Sequence, residues 1–529
     1  MPEYSELDKS VGRLIAGRLP GLELEAEHRQ ALGDGILGGI TLFAENCSDL
    51  EQLASLTADI VETSRHVPLL TVDQEGGAVQ RFAGVLTPLP SPMALAATGS
   101  PETLAAITRI SAEQLKLLGF NCLLAPVLDV ISNPSNPIVC TRSFGTVQQL
   151  CQSLGEIVAR TISDVGLVPV GKHFPGHGAT REDSHEDLAV SKVDLERLWG
   201  VDLAPFKDCL PVLPAVLTGH IWVQAVDEEP LPASLSKRIT TSILREYLGF
   251  DGIIMTDDLT MKGITGHYGM GEAAVMAIEA GADLLLVCGP FEESEEARRA
   301  IVEAVSSGRL SEARIAASLK RLKHKFGRRP QATSPSKNKG RFARLKKHIE
   351  ESRAVSQEAS LEAITATRGS AHQLTSGPWK VIVPNHPRYS LDLARHLNGY
   401  LNARLEAPVE EIRYSLEPSF EEAQEIARSC QDYNCLFVTF RCLINREQMR
   451  VGQMVADACK GKKIAITTDT PFDLDGLPDW PTVIASFDPS DQAMMALASV
   501  LSGELRARHS TYVQFLYEGL KRLREQSLK

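Results

Sequence analysis

Up to about residue 325 the chain alternates short apolar runs with segments of helical period, the pattern of repeated βα units around a parallel sheet. The apolar runs predict strands at Ile36 to Phe43, Leu69 to Asp73, Cys122 to Asp129, Val168 to His173, Ala215 to His220, Gly252 to Asp257 and Asp283 to Cys288. No eighth strand stands out between Cys288 and the helical stretch Ser311 to Lys325. The expected fold is a (β/α)8 TIM-like barrel whose weak closing unit is sought in that interval.

After the barrel, the stretch 328–340 is rich in Pro, Ser, Gly and basic residues and reads as an exposed connector with solvated charges. A helical segment, Arg341 to Ala366, follows it. Beyond lie strand-like runs at Trp379 to Pro384, Asn434 to Phe440, Lys462 to Thr468 and Thr482 to Phe487, alternating with helical stretches such as Phe420 to Cys430 and Asp491 to Leu501. They predict a smaller α/β domain with a layered sheet and no strong catalytic motif of its own. The expected division is a barrel over 1–327, a linker and connecting helix over 328–366, and a C-terminal domain over 367–529.

A length of 529 residues fits two or three domains at roughly 100 to 200 residues each. The formal charge of −12 argues against nucleic acid as a partner, because phosphate backbones are bound by clustered Lys and Arg. The ten cysteines are scattered, lack paired CxxC spacing and mostly sit in apolar runs, which predicts buried free thiols in a reducing compartment. The start, Met1-Pro2-Glu3-Tyr4, has neither a basic flank nor an apolar core, and no uninterrupted 18-residue apolar span occurs. A cytoplasmic protein without membrane insertion is expected.

Candidate chemistry falls at strand ends. Asp73, Asp129, Lys172 with His173, His220 and Asp257 each close a predicted strand, and in a barrel such ends meet on one rim. Any one of them alone could be a helix cap or a satisfied histidine; five together point to a site. The most informative stretch runs from Lys172 through His173, Pro175, Gly176, His177 and Gly178 to Asp183 and His185. Asp183 and His185, two apart, lie on one side of an extended backbone, so the carboxylate can orient the imidazole and keep a proton on it. Alternation lets only one of Asp257 and Asp258 face the barrel mouth while its neighbour supports it, although either could simply cap the next helix. Carboxylates in such a setting suggest glycoside hydrolysis, with a histidine in the acid/base role.

His173, His177, His185, His220 and Asp257 could also be read as metal ligands, but the chain has no HxH on an early strand and no HExxH, and Lys172 would set a cation beside the ion. No metal is expected. The glycines of Gly33-Asp34-Gly35 and Gly38-Gly39 do not follow the order strand, Gly-rich loop, helix, so no nucleotide cofactor is indicated.

Lys172-His173-Phe174-Pro175-Gly176-His177-Gly178 with Asp183-Ser184-His185 resembles the signature of the β-N-acetylhexosaminidase branch of glycoside hydrolase family 3, two-domain type. Further blocks are similar in the same order: Asp73-Gln74-Glu75-Gly76-Gly77 with Gln80-Arg81-Phe82, the run Ala125 to Val130, Arg142-Ser143-Phe144-Gly145, Thr218-Gly219-His220 and Thr256 to Met261. The likeness covers nearly all of 10–327 and extends more loosely to the C-terminal region. It implies Asp257 as nucleophile, His185 as acid/base and Asp183 as its orienting partner. Asp73, Arg81, Arg142, Lys172 and His173 would bind the sugar in the first subsite. Ala78 stands where a larger residue is common and Gly219 where Ala is common; the first should affect the rim, the second nothing.

The resemblance implies a retaining exo-enzyme, with no cofactor, that removes terminal β-linked N-acetylglucosamine, its substrate a GlcNAc-containing glycan or cell-wall muropeptide. A histidine acid/base is neutral after giving up its proton and does not repel an anionic acceptor, so a phosphorylase is the nearest rival. A metal-dependent barrel hydrolase and an inactive sugar-binding protein are the remaining alternatives.

Overall fold

The computed structural model describes residues 4–181, 187–369, 374, 377–401, 409–477, 479–503 and 511–526. Eight parallel strands close into a barrel: β1 (Ile15–Arg18), β2 (Gly39–Leu42), β3 (Leu69–Val72), β4 (Cys122–Leu123), β5 (Val168–Phe174), β6 (Ala215–Thr218), β7 (Ile253–Asp258) and β8 (Leu284–Leu286). Each pairs with its neighbours in chain order, and Ile15 opposite Leu285 and Ala16 opposite Leu286 complete the ring. Most strand residues are buried on both faces, as strands wrapped by helices must be.

The strand missing from the sequence pattern comes first in the chain, not last. β1 has only four residues, Ile15-Ala16-Gly17-Arg18, and its small Ala and Gly and its charged Arg18 make it too short and too mixed to register as an apolar run. The seven other strands keep their order, so Val168–Phe174 is the fifth and Ile253–Asp258 the seventh. β4 stops at Leu123, far short of Asp129. Pro126 has no N–H to give the ladder, and the chain beyond follows β5 only loosely, with Leu128 N–H donating to Lys172 C=O at 2.7 Å.

Helix ends follow local chemistry. Asp49 caps Leu50–Thr63 by accepting from the N–H groups of Glu51 and Gln52, and Ser100 caps Pro101–Leu118 by accepting from Thr103 N–H. Gly119 ends the second of these with φ 97°, a left-handed turn that L side chains resist.

The second sheet has the order β9 (Thr365–Arg368), β14 (Thr482–Ala485), β13 (Lys463–Thr467), β12 (Asn434–Thr439), β10 (Trp379–Pro384), β11 (Glu410–Tyr414), with only β9 antiparallel. Helices Leu393–Leu401 and Asp491–Ser502 cover one face, Phe420–Ser429 and Glu447–Ala458 the other. β9 and β11 were not visible as apolar runs; both are edge strands, where one row of backbone groups and much side-chain surface stay in water.

The connector is less free than its composition implied. Most of it is exposed, but Arg329 donates to the carbonyls of Val61 and His66 at 2.6 and 2.8 Å, and Thr333 is buried against Leu117. The helix Lys339–Ala363 then packs on Pro101–Leu118 and on Asp491–Ser502, joining the two bodies. Direct bonds join them as well: Ser91 N–H donates to Asp488 Oδ2 at 2.9 Å, Ser91 Oγ to Phe487 C=O at 2.6 Å, Thr146 Oγ1 to Leu516 C=O at 2.8 Å and Tyr512 Oη to Phe144 C=O at 2.6 Å. All ten cysteines are unpaired and all but Cys47 are buried. Among the described residues no helix is long and apolar enough to cross a membrane.

Tyr512→Phe leaves the Phe144 carbonyl buried without its donor, so it should cost about 1 to 3 kcal/mol of stability, read as a lower denaturation midpoint in guanidinium. An unchanged midpoint would show that this contact does not hold the bodies together.

Candidate active site

The C-terminal ends of the strands surround a cavity of about 620 Å³. Asp73, Arg81, Arg142, Lys172, His173 and Asp257 all line it, so the first-subsite residues inferred from the sequence and the inferred nucleophile share one space. Asp183 and His185 lie outside the described residues. On one flank of that segment, Thr180 C=O accepts from Asn133 and Asn136, and on the other, Asp187 lies 3.9 Å from His267 on the connection that follows Asp257 and Asp258.

The floor is a buried charge cluster. Lys172 Nζ, only 2% exposed, stands 2.6 Å from Asp73 Oδ1 and 2.5 Å from Glu75 Oε1. Arg142 grips Glu75 in a two-pronged pair, Nε to Oε2 and Nη2 to Oε1, both 2.8 Å, and Arg81 reaches Asp73 Oδ2 at 3.2 Å. Burial alone would raise the Asp73 and Glu75 carboxyls. The cations facing them, Lys172 and Arg81 for Asp73, Arg142 and Lys172 for Glu75, outweigh it and hold both below the usual carboxylate range.

The sequence pattern alone assigns Glu75 no role. Two residues from Asp73, it lies on the same side of an extended segment, and two buried cations demand more than one carboxylate; that demand was the available signal. Its hairpin fits only because Gly76 and Gly77 have φ 112° and 55°, and because a Cβ on either would strike Pro90 or Ser91.

Asp129 was placed on the rim but stands behind it. Its carboxylate accepts from His177 N–H at 2.6 Å and pairs with His173 Nδ1 at 2.7 Å. That leaves His173 Nε2 as acceptor for Arg142 Nη2 at 3.2 Å. Burial and the adjacent His173 push the His177 imidazole down to about 4. Gly178 lets the loop press so close to Val130 C=O that a Cβ would stand 1.8 Å from it. Lys172 and His173, although consecutive, both line the cavity because the β5–β6 register shifts between Gly171 and Phe174.

The same departure from alternation occurs on β7, whose register against β8 shifts between Met255 and Asp258. Asp257 and Asp258 therefore both line the cavity, against the expectation that only one would. Their tasks still differ. Asp258 accepts from Thr260 N–H, Thr260 Oγ1 and Cys288 N–H at 3.0, 2.7 and 2.8 Å, which ties β7 to β8. Asp257 Oδ1 accepts from Asp258 N–H at 2.9 Å, which fixes the carboxylate. His220 is fully buried, with Nε2 donating to Asp258 C=O and Nδ1 against Ser234 Oγ, each at 2.8 Å, and so braces this turn from behind.

Among the described residues, His173, His177, His220 and Asp257 are not gathered into a group that could share one ion; Glu25, Glu27 and His28 are such a group, and they do not line the cavity. A second omission of the sequence reading lies across the mouth. Arg388, Tyr389 and Arg441 of the second domain line the same cavity. Nothing in their own segments signals this, since it depends on how the two bodies dock.

The model of the glycosyl hydrolase family 3 N-terminal domain matches residues 6–324, more than half of the chain. The chain belongs to glycosyl hydrolase family 3. This family-3 hydrolase is 36% identical over 283 residues to a β-hexosaminidase of Thiobacillus denitrificans, covering 52% of this chain and 78% of that one. It is 37% identical over 286 residues to one of Alkalilimnicola ehrlichii, covering 53% and 81%. Both matches span about half of the chain. A family 3 β-N-acetylglucosaminidase structure from Paenibacillus sp. str. FPU-7 is similar over 95% of this chain and 98% of that one, with TM-score 0.85 and 32% identity. The family-3 enzyme is a glycoside hydrolase with a carbohydrate substrate.

Two outcomes test the floor. Glu75→Gln should destabilise the family-3 enzyme by about 3 kcal/mol at pH 7, because two buried cations lose a counter-charge. Since the Glu75 carboxyl is held low when folded, its contribution is complete above the unfolded value of about 4.3 and fades as the pH falls through the lower folded value, so the deficit in the urea midpoint should shrink toward pH 3. A pH-independent deficit would contradict the charge pairing. Asp129→Asn puts an amide donor where only acceptors fit and should lower kcat/KM by about ten- to a hundredfold; steady-state kinetics with unchanged values would remove Asp129 from the site's support.

Proposed function

We propose that this glycoside hydrolase of the β-hexosaminidase type is a retaining exo-β-N-acetylglucosaminidase that releases terminal β-linked GlcNAc from peptidoglycan-derived muropeptides. The observation that carries the reading is the one cavity holding Asp257 together with the buried cluster of Asp73, Glu75, Arg142 and Lys172. The relatives' names support the choice of sugar.

In the first step an Asp257 carboxylate oxygen forms a bond to the anomeric carbon as the glycosidic C–O bond breaks, and His185 gives its proton to the departing oxygen. Asp183 orients His185 and stabilises the imidazolium before that transfer. In the second step neutral His185 takes a proton from water while the water oxygen displaces Asp257, and two inversions leave the configuration retained. Arg81, Lys172 and His173 stand at the sugar. Lys172 spends two of its three N–H donors on Asp73 and Glu75, and Asp73 keeps lone pairs free for sugar hydroxyls. The motif Asp183-Ser184-His185 supports these two roles, and the described Asp187 lies 3.9 Å from His267 on the connection that follows Asp257.

Water is taken as the acceptor. The β-glucoside phosphorylase that resembles this chain does so at 20% identity and TM-score 0.77, which is likeness of fold alone.

Turnover of an aryl β-N-acetylglucosaminide should fall by at least about a thousandfold in Asp257→Ala, with the wild type releasing the β-anomer first as followed by proton NMR. Undiminished turnover by the variant, or initial release of the α-anomer, would remove Asp257 as nucleophile. A chelator should leave the rate unchanged.

A further inference from the structure

The cavity is closed by the buried floor and open at the mouth, so a sugar seated on the floor must send the rest of its substrate out past the rim. The rim is built from both domains: Arg388 and Tyr389 face it from the second, Lys262 from the connection after β7. The segment bearing Arg388 and Tyr389 is anchored. The Tyr389 ring packs 5.7 Å from Phe440 and 4.9 Å from His386, and the neighbouring Arg441 donates to Asp469 Oδ2 at 2.7 Å and to the barrel's Pro137 C=O at 2.9 Å. The Arg388 backbone N–H is tied to His386 Nδ1 at 3.0 Å.

The charges of this wall are unevenly answered. Arg18 is paired with Glu45, Lys172 with Asp73 and Glu75, Arg441 with Asp469. Arg388 and Lys262 are exposed, and among the described residues no carboxylate pairs with either. Two exposed cations without a carboxylate partner, one from each domain, thus line the cavity together with Tyr389 in a chain of formal charge −12.

From this juxtaposition we propose that Arg388, Tyr389 and Lys262 form the subsite for the leaving group, and that it selects a leaving group bearing an anion, carboxylate or phosphate. This rests on the reading of Asp257 and the floor as the GlcNAc site, and it makes the second domain a determinant of specificity. Tyr389 offers an apolar face to a ring, and Arg388 offers paired donors to planar or tetrahedral oxygen anions.

Three non-hydrolysable aryl S-glycosides of β-GlcNAc, with neutral, carboxylated and phosphorylated aryl groups, separate the possibilities by calorimetry on the full chain. At least one anionic ligand should bind about fivefold or more tighter than the neutral one, with the advantage shrinking as salt is raised from 0.05 to about 0.5 M. The anion showing the advantage identifies the source. In the double variant Arg388→Ala, Lys262→Ala the ratio should fall toward one, and in Arg388→Lys it should be partly kept. Equal affinities in the wild type, or a ratio unmoved in the double variant, would overturn the proposal. Turnover of the corresponding O-glycosides reports separately on the chemistry: failure to cleave any of them would count against the assigned activity, whereas cleavage without anion preference would count only against the rim.

Discussion

A single ammonium group organises the site. Lys172 is held in the barrel's interior at the end of β5, where an unpaired charge would be prohibitive, and its burial is possible only with Asp73 and Glu75 both in contact. Those two carboxylates in turn need Arg81 and Arg142. Meeting these demands brings β3, its hairpin, the turn at Cys140–Arg142 and β5 to one point, and the charged floor of the cavity is the consequence. The cluster is polar enough to recognise hydroxyls and too tightly paired to leave a carboxylate available as a competing nucleophile.

Behind the floor, a second set of groups fixes those that face the cavity. Asp129 sets the tautomer of His173 and holds the backbone at His177; His220 braces the carbonyl of Asp258; Asp258 ties β7 to β8. Each of these three carries a strand-end position that suggests direct chemistry, and each instead positions a neighbour. A reacting carboxylate must sit within a fraction of an ångström of its productive position, and a turn of backbone reaches that precision only when its own polar groups are satisfied.

The two bodies are joined near this machinery. Ser91 contacts both the hairpin glycine Gly77 and, through two hydrogen bonds, Phe487 and Asp488, while Thr141 Oγ1 lies 3.3 Å from Asp469 beside Arg142. The second domain thus bears on the loops that shape the floor and presents Arg388 and Tyr389 at the mouth.

The chain's own pattern determined the barrel class, the order of seven strands, the layered second sheet and, among the strand-end residues, the gathering of Asp73, Lys172, His173 and Asp257 at the cavity, because buried parallel strands need continuous apolar runs and polar groups at their ends stand out against them. It could not reveal β1, whose four residues are too mixed to form such a run, nor the edge strands β9 and β11, whose pairing is one-sided. Nor could it tell that both Asp257 and Asp258 reach the cavity, since alternation holds only where the register is regular and this pair sits at a shift. Division of labour among Glu75, Asp129 and His220, and the arrival of Arg388 and Tyr389 at the mouth, were decided by tertiary structure alone. Hydrogen-bond partners and cavity walls are made by residues distant in the chain, and only packing brings them within reach.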